Sequence, residues 1–163
     1  MTVSLQAEPI DVVAEYAALV GGAPGAAVAT FTGYVRNHTG ENPVGALELE
    51  HYPEMALRVL EELGQQAAER FGLLRWRIVH RFGVLPVSET IVWVGAMADH
   101  RGEAISACEC MMDMLKTDAP FWKREQGPSG ARWVPFLIGI IYWLIFNNVL
   151  FSLFIKFEHI TKI

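Results

Sequence analysis

The sequence predicts an α+β domain of two layers, a mostly antiparallel sheet with helices packed against it. Hydrophobic spacing alternates along the chain between a period of two and a period near 3.6. Short Gly- and Pro-marked connections separate the segments, whose order opens β-α-β-β-α-β-β and continues with a third helix and a hairpin. No internal repeat interrupts this order.

A short strand or arm opens the chain. Asp11 caps or charges the start of a helix whose stripe is Val12, Val13, Tyr16, Ala17 and Val20, and Gly21–Gly25 closes it as a loop. Residues Ala26–Arg36, β-branched and aromatic, read as a core strand, with Gly33 marking a bulge or a close backbone approach. A polar loop over Asn37–Pro43 leads to a strand over about Val44–His51, with Leu47 and Leu49 on one face and Glu48 and Glu50 on the other.

Pro53 opens the second helix at the position where a missing N–H costs little. Met55, Val59, Leu60, Leu63 and Ala67 form its apolar face up to Phe71, and Gly72 stops it. Arg75–Phe82 sets Trp76, Ile78, His80 and Phe82 against Arg77, Val79 and Arg81. Gly83–Glu89 reads as a turn and Thr90–Ala98 as a buried strand. The third helix, about Arg101–Lys116, carries Ile105, Cys108, Met112 and Leu115 on one stripe. Ala119-Pro120 breaks it, Phe121–Glu125 is extended, and Gly127–Gly130 turns into Ala131–Val134 as a terminal hairpin.

A net charge of −5 argues against a general nucleic-acid binder, so any anion site has to be a local basic pocket. Cys108 and Cys110, the two cysteines, read as buried reduced thiols of a cytosolic protein, without partners at metal-ligand spacing. The N-terminal residues lack the basic and apolar regions of a signal peptide. From Pro135 to Ile163 the composition changes: Ala and Arg vanish, and Ile, Phe, Leu and Asn dominate. Arg132 and Lys156 bracket 23 uncharged residues. As a helix, Pro135–Ile155 would span roughly 30 Å, the thickness of a bilayer core.

Three of the 13 Lys and Arg residues lie in K-T-D-A-P-F-W-K-R-E, Lys116–Glu125. On position alone this is a solvated basic turn. Arg36 follows a strand, and His100-Arg101 opens a helix whose dipole favours a bound anion. Each group alone is weak evidence; together they suit a phosphorylated small molecule. His51 and His80 sit within strands, as hydrogen-bonded core or rim residues rather than catalysts.

The motifs F-T-G-Y-V-R-N-H (Phe31–His38), L-E-H-Y-P-E-M (Leu49–Met55), H-R-F-G (His80–Gly83), A-D-H-R (Ala98–Arg101) and D-M-L-K-T-D-A-P-F-W-K-R-E (Asp113–Glu125) occur in that order. Over roughly residues 8 to 134 the chain resembles the large, catalytic subunit of molybdopterin synthase, the MoaE family. The resemblance implies an α/β hammerhead-type fold over residues 1–134. It implies a central homodimer in a heterotetramer, with a small ubiquitin-like sulfur-carrier subunit at each end, in the cytoplasm. It also implies that cyclic pyranopterin monophosphate takes two sulfurs from the carrier's C-terminal thiocarboxylate to become the dithiolene of molybdopterin. No cofactor and no metal is implied.

By motif position, Lys116 and Lys123 match the family's catalytic lysines and Arg36 its substrate-binding arginine. His100 and Arg101 match a pair reaching the site from the neighbouring subunit. Arg124 and Glu125 complete the substrate-binding stretch, and Tyr34 and Val35 take a peripheral part in it. The tail, residues 135–163, lies outside the resemblance. It reads as a membrane anchor, as a buried or partner-binding helix, or as sequence foreign to the family; the abrupt change in residue usage points to the last. Two further function classes are a non-catalytic module gripping a ubiquitin-like C-terminus and a membrane-tethered variant of the subunit.

Overall fold

The computed structural model describes residues 2–22, 25, 27–128 and 130–134. Ten strands and three helices follow one another along these residues: β1 (Thr2–Gln6), α1 (Val12–Val20), β2 (Ala27–Tyr34), β3 (His38–Thr39), β4 (Asn42–Pro43), β5 (Ala46–His51), α2 (Pro53–Phe71), β6 (Arg75–Arg81), β7 (Gly83–Pro86), β8 (Thr90–Ala98), α3 (Arg101–Thr117), β9 (Phe121–Gly127) and β10 (Gly130–Val134). They build one four-stranded sheet in the order β1-β6-β8-β2, a second in the order β10-β9-β5-β7, and a two-stranded ribbon of β3 and β4. Only the β1–β6 pairing is parallel; the other pairings are antiparallel. The α+β class and the antiparallel bias expected from the sequence are what the fold shows.

Helices α2 and α3 lie side by side on one face of the first sheet. Leu60, Leu63 and Ala67 of α2 and Ala104, Ala107, Cys108 and Met111 of α3 bury against Trp76, Ile78, Val94 and Ala96. Trp76 is the closest-fitting piece: a Cβ on Gly64 would stand 2.2 Å from its ring, so α2 approaches the sheet at a residue without a side chain. Pro53 starts α2 and Gly72 ends it in the left-handed conformation, as the sequence predicts. Asp11 caps α1 by accepting from the backbone N–H groups of Val13 and Ala14.

Helix α1 lies on the opposite face of that sheet, where Leu19 meets Val79 and Trp93. The expected stripe of α1 forms its contact face only in part: Val12 packs against this cluster and Val20 is partly buried, beside Leu19, which the stripe did not include. Only one ridge of a nine-residue helix reaches the sheet, and Val13 and Tyr16 point outward. On α3 the buried row is likewise Ala104, Ala107, Cys108, Met111 and Leu115, while the predicted Ile105 is 58% exposed. Cys108 is buried as expected, but Cys110 is only half-buried.

Gly83–Glu89, which the sequence predicts as a turn, begins with a strand, Gly83–Pro86. Gly83, at φ 87°, swings the chain out of β6, and Gly83–Pro86 then pairs with β5. Leu85 points into the core and Val84 out to solvent, a period of two hidden in a segment of four residues. Within the predicted polar loop, His38–Thr39 and Asn42–Pro43 form the small ribbon. Gly33 does mark a bulge, with the β2–β8 register shifting between Gly33 and Tyr34.

Val35, Leu47, Leu49 and Leu85 make the core of the second sheet. A row of rings ties the two sheets together: Phe82 lies 4.4 Å from His51, His51 lies 5.8 Å from Phe121, and Phe121 stacks on His80 at 4.0 Å. The proposed tail helix, residues 135–163, falls outside the described residues. Among those described, no helix is long and apolar enough to cross a membrane.

Candidate active site

The stretch Lys116–Glu125 divides at a buried corner. Lys116 ends the last turn of α3, Asp118 closes the helix by donating its N–H to the Met114 carbonyl, and Ala119, Pro120 and Phe121 are buried. Pro120 cannot continue a helix, and the stacking of Phe121 on His80 fixes where β9 begins. From there the strand alternation separates the charged residues. Lys123 and Glu125 point to one side of β9, and Arg124 points to the other.

Glu125, only 5% exposed, is the fixed charge of the site. Its Oε1 accepts from the Thr39 hydroxyl at 2.6 Å and its Oε2 from the Arg132 guanidinium at 3.1 Å. The Lys123 ammonium stands 3.9 Å from Oε1. Burial opposes the carboxylate charge, but the hydrogen bonds from Thr39 and Arg132 and the charges of Lys123 and Arg132 outweigh it. The Glu125 pKa therefore lies below its ordinary value.

Lys123 is pulled the other way. Burial lowers its pKa, the Glu125 carboxylate resists, and the positive charge of Arg36 adds to the lowering, so the net shift is downward. Arg36 follows Val35 out of β2. Val35 is buried between Leu47, Leu49 and Leu85, and its backbone is held on both sides, N–H to the Glu89 carbonyl and carbonyl to the Ser88 N–H. What Val35 offers is a rigid base for Arg36 rather than a contact surface. Tyr34, exposed, stands just before it at the end of β2.

Lys116 is 69% exposed, with Asp113 Oδ1 at 3.8 Å as an ordinary surface partner. It lies at the same end of the domain as Arg36. Strand β2 ends at Tyr34 opposite Thr90, the start of β8, and α3 runs back over β8 to that end. Lys116, Lys123 and Arg36 thus share one end of the fold.

His100 and Arg101 do not join them within one chain. They form the N-cap and first residue of α3, both exposed, and a helix of 17 residues is about 25 Å long. Arg124 is also apart. Its guanidinium pairs with Glu48, directly opposite on β5, and lies over the Trp133 ring at 5.3 Å. Gln126 donates to the same Glu48 carboxylate at 3.1 Å, and the Arg124 hydrogen bond, named first among the causes, holds the Glu48 pKa below its ordinary value.

Two contributors went unnoticed in the sequence, Thr39 and Arg132. Arg132 was within reach: the terminal hairpin expected from the sequence brings Ala131–Val134 back along Phe121–Glu125, and the observed register sets Arg132 opposite Glu125. Thr39 carried no signal, being one hydroxyl in a polar loop. No group of three His, Cys, Asp or Glu residues among those described is arranged to hold a metal ion.

A buried glutamate holding one partly desolvated lysine, with a second lysine seven positions earlier across a Pro corner, is a specific arrangement. The sequence matches the family described as MoaE protein over residues 5–118. The chain belongs to that family. Among its relatives, the molybdopterin synthase catalytic subunit of Vibrio cholerae is 47% identical over 133 residues, covering 81% of this chain and 88% of the relative. The molybdopterin biosynthesis MoaE protein of Burkholderia ambifaria superposes with a TM-score of 0.72 at 41% identity, covering 87% of this chain and 97% of that one. The molybdopterin synthase structure from Staphylococcus aureus gives a TM-score of 0.76 at 30% identity over 81% of this chain and 96% of that one. The family match ends at Asp118, before the C-terminal apolar segment begins.

Proposed function

We propose that residues 1–134 are a molybdopterin synthase catalytic subunit acting in molybdenum cofactor biosynthesis in the cytoplasm. It transfers two sulfurs from the C-terminal thiocarboxylate of a small ubiquitin-like carrier to cyclic pyranopterin monophosphate. The observation that carries this reading is the Glu125–Lys123–Arg36 arrangement at the end of the domain where Lys116 also stands. The names of the relatives, and the co-linear motifs that hold these residues, support it.

Attack of the thiocarboxylate sulfur on the pterin side chain develops negative charge while the cyclic phosphate is held and opened. Cations fixed beforehand stabilise that charge without reorganising. Lys123, with its lowered pKa, exchanges a proton nearer neutrality than an ordinary lysine and serves as general acid or base. Lys116, on the exposed last turn of α3, meets the incoming carrier terminus and is the principal catalytic group. Arg36 binds the phosphate, with His100 and Arg101 supplied by the neighbouring subunit of a homodimer, itself the centre of a heterotetramer with two carriers. Glu125 orients Lys123. Arg124 shapes the strand that carries both, held by Glu48.

Reconstitution with a thiocarboxylated carrier and the cyclic pterin precursor, assayed for dithiolene, tests the reading. Lys116→Ala is expected to abolish product while leaving the oligomer intact. Wild-type turnover by that variant would remove Lys116 from the mechanism.

A further inference from the structure

We propose that Thr39 is a positioning residue: its hydroxyl occupies the Glu125 oxygen that faces Lys123, holds that ion pair open, and so leaves the Lys123 ammonium free to meet substrate. This rests on the reading of Lys123 as an active-site group; the geometry around the carboxylate stands apart from that reading.

The carboxylate sits where it needs donors. In the sheet register Glu125 lies between Leu47 on β5 and Arg132 on β10, and Leu47 belongs to the apolar core of the second sheet. Directly opposed residues share a face, so Glu125 stands on the apolar side of that sheet. A charge there is costly unless hydrogen bonds replace the water it has lost. Thr39 at 2.6 Å and Arg132 at 3.1 Å supply them. Lys123 does not. At 3.9 Å its ammonium stands beyond the ~2.7–2.9 Å of a charge-assisted N–H···O bond.

The hydroxyl and the ammonium address the same oxygen, Oε1. Lys123 reaches it on a flexible stem, whereas Thr39 is carried by the β3–β4 ribbon, and that ribbon is clamped to β9. The Val44 N–H donates to the Asn37 carbonyl at 2.8 Å and closes the foot of the ribbon. The Gly45 N–H donates to the Gln126 carbonyl at 2.7 Å. A Cβ on Gly127 would stand 2.5 Å from the Pro43 carbonyl oxygen, so ribbon and strand meet where no side chain fits between them. Thr39 thus reaches Glu125 from a frame fixed to the next two residues of β9. The firmer donor holds the oxygen.

The ribbon begins just past Arg36, whose positive charge is felt at Lys123. The charged groups around the Lys123 ammonium are therefore Glu125 from β9, Arg36 from the exit of β2 and, across the carboxylate, Arg132 from β10; β5 sets the uncharged Leu49 opposite. Of these, Glu125 alone attracts it. Without the hydroxyl, Oε1 is open on the side of Lys123, and a stem movement of about 1 Å brings the ammonium into direct contact. A captured ammonium is held in its charged form and withdrawn from substrate.

The test compares the full chain carrying Thr39→Val, which keeps the branched shape and removes the donor, with Thr39→Ser and wild type, each checked for folding by a thermal melt. Single-turnover dithiolene formation with the thiocarboxylated carrier should fall roughly ten-fold in Thr39→Val, less than the loss of a whole acid–base group. The limb of its pH–rate profile governed by Lys123 should move up by about half to one pH unit. Thr39→Ser should restore both. In a Glu125→Gln background, Thr39→Val should leave the limb where Glu125→Gln puts it, because no charge remains to capture the ammonium. Acetic anhydride labelling of Lys123 over the same pH range reads its titration without turnover. A Lys123 titration that stays put or moves down in folded Thr39→Val, or a Thr39→Ser variant no better than Thr39→Val, would overturn the proposal. An upward shift in labelling in a protein whose wild type forms no dithiolene would instead refute the proposed function and leave the hold of Thr39 on Glu125 and Lys123 standing.

Discussion

Replacing Glu125 by Gln removes one charge from the centre of the site while keeping its shape. The amide oxygen still accepts from Thr39, so that hydrogen bond survives. The bond from Arg132 loses its charge assistance; hydrogen bonds to charged groups contribute ~1.5–3 kcal/mol. Two effects reduce the loss: Arg132 is more than half exposed and can turn to water, and the neutral amide no longer opposes burial. The net destabilisation is therefore about 1–2 kcal/mol, a fall in Tm of roughly 3–6 °C for a chain of this size. The effect on Lys123 is larger in kind. Burial and Arg36 both lower its pKa, and only Glu125 resists, so Glu125→Gln drives it further down. The limb of the pH–rate profile governed by Lys123 is expected to move to lower pH, read by single-turnover dithiolene formation across pH 6 to 10 beside a thermal melt. An unmoved or upward-moving limb in a folded variant would show that Glu125 does not set the state of Lys123.

Two further outcomes concern the scaffold. Gly64→Ala drives a methyl group into the Trp76 ring; overpacking typically costs ~1–3 kcal/mol against ~1 kcal/mol of helix propensity regained, so urea denaturation should show a net loss. Burial lowers the His80 pKa to about 4, from 6.5. With the folded value depressed, the unfolded chain takes up the proton first, so this contribution to stability is full above pH 6.5 and is lost as the pH falls toward 4. It amounts to about 3 kcal/mol, and His80→Gln should flatten the fall relative to wild type over that window.

Lys116 and Lys123, proposed as catalytic, Arg36 and the helix-opening His100-Arg101 pair were legible as residues in the sequence because chemistry-bearing motifs survive as contiguous text. The α+β class was legible too, since periods of two and 3.6 follow from local geometry. Val13, Tyr16 and Ile105 face solvent despite their place in the apolar stripes, because a helical stripe records which residues are apolar, not which face the sheet reaches. β7 was hidden for a related reason: four residues are too few to show a period, and only pairing with β5 makes them a strand.

What only the tertiary structure decided is the grouping of the charges. Neighbours in sequence, Lys123 and Arg124, point to opposite sides of β9, while Thr39, 86 residues away, reaches Glu125. His100 and Arg101 are separated from Lys116 by the length of the helix that connects them. Sequence determined which cations exist and the local shapes around them; long-range pairing, which no local spacing encodes, decided which of them act together.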